Sequence, residues 1–242
     1  LIASAGIIAP VIPPSIGVVV FGVAANVSIS KLFLAGIVPG LMMGLAIAVA
    51  WYWVSQRENI TPPPKASTSE KLHALKESTW ALFLPVIVIV GLKMGVFTPT
   101  EAAAVAAVYA LLVATLVYRE LHWRQLTDVF ISAAKTTAVI MFLVAAAMVS
   151  AWLITVAQLP DQLVALLEPL LEHPRLLMGA IMVLVIVVGT AMDMTPTILI
   201  LTPVLMPIVK AAGIDPVYFG VLFIINNSIG LVTPPVGTVL NT

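Results

Sequence analysis

The sequence predicts an all-α polytopic membrane protein with inverted repeats, discontinuous helices and a re-entrant hairpin. Three observations lead there. The chain is 61% hydrophobic and 9% charged, with mean hydropathy +1.15, whereas a soluble domain carries about a quarter charged residues. Apolar stretches of about 20 residues, the length of a helical span, recur along it. Two of the apolar stretches contain a Pro-Pro pair, "APVIPPSIG" (9–17) and "SIGLVTPPVG" (228–237). Proline inside a helix removes a backbone hydrogen bond and clashes with the preceding turn. Irregular backbone at membrane depth survives only where protein or a wet cavity satisfies it.

The elements follow in order. Residues 1–29 form a first apolar stretch, broken at "APVIPPS", and read as a discontinuous helix. This stretch is not a signal peptide, because it lacks a basic leading segment and carries prolines at its centre. After Lys31 a span runs over 32–54 and ends in "WYWV", an interfacial aromatic belt. Residues 55–78 are the clearly soluble connection. Spans at 79–97 and 100–118 are joined by "FTPTEA", where Glu101 suits the first turn of a helix. The polar knot "YRELHWRQ" (118–125) closes that pair, and 132–157 spans again. The stretch 159–174, acidic and leucine-rich, is too charged to span and reads as an amphipathic helix lying along the interface. Residues 175–212 are apolar but interrupted by "GTAMDMTPT" (189–197), and 215–242 are apolar but interrupted by "TPP". The chain starts and stops within apolar sequence and reads as a piece of a longer protein.

Two readings of 175–212 compete: two full spans, or a hairpin that enters and leaves on one side with 189–197 at its tip. Each arm holds only about 15–17 apolar residues, short for a crossing. Basic residues gather at Arg57, Lys65, Lys71 and Lys76 and at Arg119, Arg124 and Lys135, which places those connections in the cytoplasm. Counting crossings from there, a hairpin makes the two Pro-Pro segments run in opposite directions, as in inverted repeats around discontinuous helices. The hairpin is therefore the favoured reading.

The chemistry this pattern suits is cation and anion binding. Pro-Pro leaves carbonyl acceptors without matching donors, and hard cations take oxygen ligands. Half-helix N-termini favour anions. Candidate positions are Ser4, Gly6, Pro13, Pro14 and Ser15 at the first break and Gly189, Thr190, Asp193 and Thr195 at the tip. Asn227, Thr233, Pro234, Pro235 and Gly237 lie at the second break. An acid inside an apolar hairpin is a functional-site candidate, but Asp193 also fits as a helix cap. Asn226, Asn227 and Ser228 either bond across helices or line the pocket. Neutral net charge leaves no nucleic-acid footprint, and the chain has no cysteine for disulfides or thiolate metal sites. His73, His122 and His173 lie far apart in polar connections. An aspartyl enzyme needs two acids, and no second acid shares Asp193's apolar context.

The strings "IPPS" (12–15), "LFLAGIVPG" (32–40), "FTPTEAAAVAAVYALLV" (97–113), "MDMTPTILILTPVLMPIV" (192–209), "GIDPVYFG" (213–220) and "GLVTPPVG" (230–237) together resemble the large membrane subunit of tripartite ATP-independent periplasmic (TRAP) transporters, the DctM type. The chain looks like the C-terminal portion of such a protein. The resemblance implies an elevator-type, ion-transporter-like secondary transporter of the bacterial inner membrane. It couples import of an organic anion, such as a C4-dicarboxylate or sialic acid, to Na+, needs no other cofactor, and is not an enzyme. Its partners are a periplasmic substrate-binding protein and a small membrane subunit. On that template 1–29 and 175–242 are parts of the transport domain, and 30–174 is scaffold. One sodium site joins the tip to the second break; the other uses Ser4–Ser15. The alternatives are a sodium–carboxylate carrier that works without a binding protein, and a structural or assembly membrane subunit.

Overall fold

A computed structural model describes residues 6–57, 66–158, 162, 165 and 171–233. Its elements are α1 (Ile16–Ala25), α2 (Ile29–Arg57), α3 (Thr68–Lys93) and α4 (Pro99–Leu112), the last continuing into a π-helical turn (Val113–Val117). Then come α5 (Trp123–Val156), α6 (Pro174–Ala191), α7 (Met194–Ala211) and α8 (Pro216–Gly230). Among the described residues, six helices, α2 to α7 with α4 taken together with its π-helical turn, are long and apolar enough to cross a membrane; α1 and α8 are apolar but shorter. The chain forms two compact units, residues 1–43 with 134–242 and residues 44–133, and the division falls inside α2 and α5.

The first unit is built around the broken segment. Residues 7–14 form turns and bends, and the Pro13–Pro14 peptide is cis. This irregular strip lies on α2 because α2 offers no side chain there. A Cβ on Gly36 would come within 2.6 Å of the Val11 carbonyl oxygen, and one on Gly40 within 2.4 Å of Ile12. Small residues four apart let backbones meet closely in membrane proteins, which is what "GIVPG" supplies. Helix α1 packs on α7 and α8, and α8 packs on α6. Phe21 of α1 meets Phe219 and Phe223 of α8 with ring centroids 5.7–6.1 Å apart, and all three are fully buried.

Local signals set the helix ends. Gly213, at φ +67°, closes α7: its N–H donates to Lys210 and that of Ile214 to Val209, both at 3.0 Å. That is a Schellman stop, which requires a positive φ that glycine adopts freely. Two residues on, Asp215 accepts from Val217 and Tyr218 N–H at 2.9 and 2.8 Å, with Pro216 at the first helical position. In the second unit, Thr98 and Glu101 form a capping box with Pro99 at the start of α4, and Ser67 and Glu70 form another at α3. The phenols of Tyr109 and Tyr118 donate to the Trp80 and Glu77 carbonyls at 2.8 and 2.6 Å, tying α4 and its π-turn to α3.

Several sequence expectations change. The soluble connection is shorter than 55–78, because α2 reaches Arg57 and α3 already begins at Thr68 behind its capping box. His73 therefore sits on a helix, exposed and 3.5 Å from Glu77, rather than in a connection. Helix α5 starts at Trp123, inside the expected polar knot, and Lys31 lies within α2 instead of before it. The interruption of 175–212 shrinks from nine residues to Met192 and Asp193 alone. Gly189 and Thr190 are helical because nothing in "GTA" prevents α6 from continuing to Ala191. Both arms have 18 residues, about 27 Å of helix. Ser4, Pro234, Pro235, Gly237 and most of 159–174 lie outside the described residues.

Candidate functional site

Two helix starts face one cavity in the first unit. Ser15 is the N-cap of α1: its Oγ accepts from Val18 N–H at 3.3 Å and donates to the Pro10 carbonyl. The hydroxyl thus repairs both sides of the Pro-Pro break. Asp193 is the N-cap of α7 and accepts from Met194 N–H at 2.8 Å. The Asp193 carbonyl takes the Thr197 hydroxyl at 2.8 Å and the Thr197 N–H at 3.2 Å. The capping role expected of Asp193 is present, on the Met194 N–H. Pro196 has no N–H to satisfy. Among the described residues, the N–H groups of Ile16, Gly17 and Thr195 in these two first turns have no protein acceptor.

The cavity between them has a volume of about 830 Å³. Pro14, Ser15, Asp193 and Thr195 line it, with Leu231 beyond the end of α8 and Lys135 of α5. The first break and the tip are thus brought together. Gly6, Pro13, Gly189, Thr190, Asn227 and Thr233 do not line this cavity. Pro13 is buried and Gly6 is exposed. The hydroxyls of Thr190 and Thr233 donate to helical carbonyls, of Val187 and Ile229, both at 2.8 Å.

A second polar cluster lies where α8 crosses the end of α6. Asn227 is fully buried, and its Nδ2 reaches the Met194 carbonyl at 3.4 Å. Its Oδ1 is buried with no hydrogen-bond partner, a costly state for an acceptor. Gly189 makes room for that oxygen, since a Cβ there would stand 2.7 Å from it. Gly230 leans on the Gly189 backbone in turn, with 2.8 Å from its ideal Cβ to the Gly189 carbonyl carbon. Asn226 donates across to the Met182 carbonyl at 2.6 Å, and Ser228 bonds within α8 to Ile224 at 2.7 Å. Asn227 therefore links α8 to the first turn of α7, next to Asp193.

Lys135 is the cavity residue that sequence reasoning used only for topology. The signal was present: from Thr136 to Val156 the chain carries no charge. A lysine at the mouth of such a run is a functional candidate in its own right.

These features define a polytopic α-helical membrane protein with a charged cavity at an interrupted helix. The whole chain, residues 1–242, matches the family described as "Tripartite ATP-independent periplasmic transporter, DctM component", and the chain belongs to that family, one of transport permeases and not of enzymes. Among its relatives, the 2,3-diketo-L-gulonate TRAP transporter large permease protein of Escherichia coli (strain K12) is 61% identical over 100% of this chain and 57% of its own length. The sialic acid TRAP transporter large permease protein of Vibrio cholerae is 40% identical over 99% of this chain and 56% of its own. The C4-dicarboxylate TRAP transporter large permease protein of Pseudomonas aeruginosa is 38% identical over 98% and 56%. The chain thus spans a little over half the length of these relatives.

Proposed function

We propose that this chain is part of the large permease subunit of a sodium-coupled secondary transporter that imports an organic acid across the bacterial inner membrane. A periplasmic binding protein delivers the acid, and a small membrane subunit braces the permease. The observation that carries the reading is the cavity of about 830 Å³ on which the Pro-Pro break and the α6–α7 tip meet. Family membership and the carboxylate cargo in the relatives' names support it.

In this reading α6 and α7 form a re-entrant hairpin, and the two Pro-Pro segments are inverted counterparts in a body that moves as an elevator. The short Met192–Asp193 connection and the equal arms suit a hairpin. Sodium is cargo here, held by oxygen atoms. The unpartnered Asn227 Oδ1, the Asp193 carboxylate and carbonyls freed near the breaks offer a donor set of the hard kind sodium prefers. Asp193 supplies charge, while Ser15 and Asp193 hold the two helix starts in place.

The test is uptake into vesicles by the full-length permease with its partners, measured against sodium concentration. Asp193→Asn is expected to raise the sodium needed for half-maximal uptake. An unchanged sodium response in Asp193→Asn leaves Asp193 a helix cap and sinks the site. Omitting the binding protein checks delivery: undiminished uptake favours a carrier that works alone.

A further inference from the structure

We propose that Lys135 binds the carboxylate of the transported acid, at an anion subsite formed with the N-terminal turn of α1. The proposal rests on the permease reading above and names the residue that recognises the cargo's charge. Among the described residues, Lys135 is the one cationic side chain on the cavity wall and Asp193 the one acidic side chain. Among the described residues the only ion pair is His73 with Glu77, so Lys135 and Asp193 share the space without neutralising one another. The ammonium is left to a mobile partner of opposite charge.

The surroundings select an anion. Among the described residues, the N–H groups of Ile16 and Gly17 lack protein acceptors, and both residues line the same cavity. Helix N-termini carry partial positive charge, and backbone N–H groups there suit oxyanions. Lys135 is exposed at the cavity wall, so its ammonium is accessible to an incoming anion. Lysine contributes a compact charge with three donors, enough for one carboxylate among ligands that differ in the rest of their structure. The cargo names of the relatives share that one group: a diketo-gulonate, a sialic acid and a C4-dicarboxylate. Asp193, across the cavity, repels the carboxylate and faces the cation or a cargo hydroxyl.

The experiment measures uptake by the full-length permease with its partners, using 2,3-diketo-L-gulonate, sialic acid and succinate in turn. Lys135→Gln is expected to raise KM about ten- to hundred-fold, the loss of one charged hydrogen bond. The sodium concentration for half-maximal uptake stays as in the unaltered protein. Lys135→Arg, which keeps the charge, restores most of the affinity and shows that the position tolerates substitution. An unchanged KM in Lys135→Gln overturns the proposal and leaves a lysine that merely extends to water. A fall in maximal rate with KM intact, in both variants, also overturns it, because that pattern marks a structural role. Uptake of none of the three acids by the unaltered protein overturns the carboxylate class. Sodium-independent uptake defeats the coupling reading alone and leaves the KM comparison valid.

Discussion

At the residue scale, two polar side chains separate structural from functional roles. Asp193 caps α7, and asparagine caps as well as aspartate. Asp193→Asn is therefore expected to keep the thermal midpoint while changing the sodium response. Asp193→Ala loses both, with a stability cost of about 1 kcal/mol. Differential scanning fluorimetry of the purified full-length protein beside uptake assays distinguishes the two. Thr202 and Asn227 make a second comparison, since each buries an oxygen without a partner. Replacing a lone buried hydroxyl by a methyl group of similar shape removes a desolvation penalty. Thr202→Val should leave stability unchanged or improved and uptake unaffected. Asn227→Leu should abolish sodium stimulation. Equal sodium responses in the two variants would show that the Asn227 oxygen has no ion to serve.

At the element scale, the contact between α6 and α8 is made of glycine. Gly189 and Gly230 approach backbone to backbone, so an added methyl group has nowhere to go. Overpacking of this kind costs about 1–3 kcal/mol. Gly189→Ala and Gly230→Ala should each lower the unfolding midpoint of the full-length protein in detergent, and Gly179→Ala, with open space around it, should not.

Much at this scale was legible in the sequence. The caps at Thr98–Glu101 and Asp215–Pro216 and the break before Ser15 are written in residues next to one another. So are most span positions, because apolar length decides them. What could not be read was of two kinds. The interruption at 189–197 looked long because Gly189, Thr190, Asp193 and Pro196 are all helix-unfriendly. Gly189 is present for close packing, Pro196 falls in a first turn where proline is tolerated, and only Met192 and Asp193 leave the helix. The other kind is contact between distant segments. Lys135 and Asp193 lie 58 positions apart in sequence, and no periodicity announces that they share a cavity. The Asn226 bond to Met182 is illegible for the same reason.

At the scale of the whole molecule, most large apolar side chains on α2 and α5 are exposed, with Leu45 at 68% and Phe142 at 75%. A chain with mean hydropathy +1.15 is not short of core; its exterior is apolar because lipid is the solvent. On α5, Val139, Ile140 and Leu143 line the cavity, while Phe142 is exposed and does not line it. Phe142→Lys should penalise membrane insertion of this helix by about 3 kcal/mol, read as the inserted fraction in a translocation assay. Normal insertion would mean that this face is not in contact with lipid.

The corner between α7 and α8 has a consequence for how the protein is made. Every bond that shapes it, from Val209 accepting Ile214 to Asp215 capping α8, lies within a few residues. Closure of so short a loop takes on the order of 10–100 ns, whereas synthesis delivers about 5–20 residues per second. The bend is therefore set as soon as the ribosome releases it, ahead of the slower business of finding neighbours in the bilayer. The newborn chain presents α7 and α8 to the membrane with the connection between them already formed.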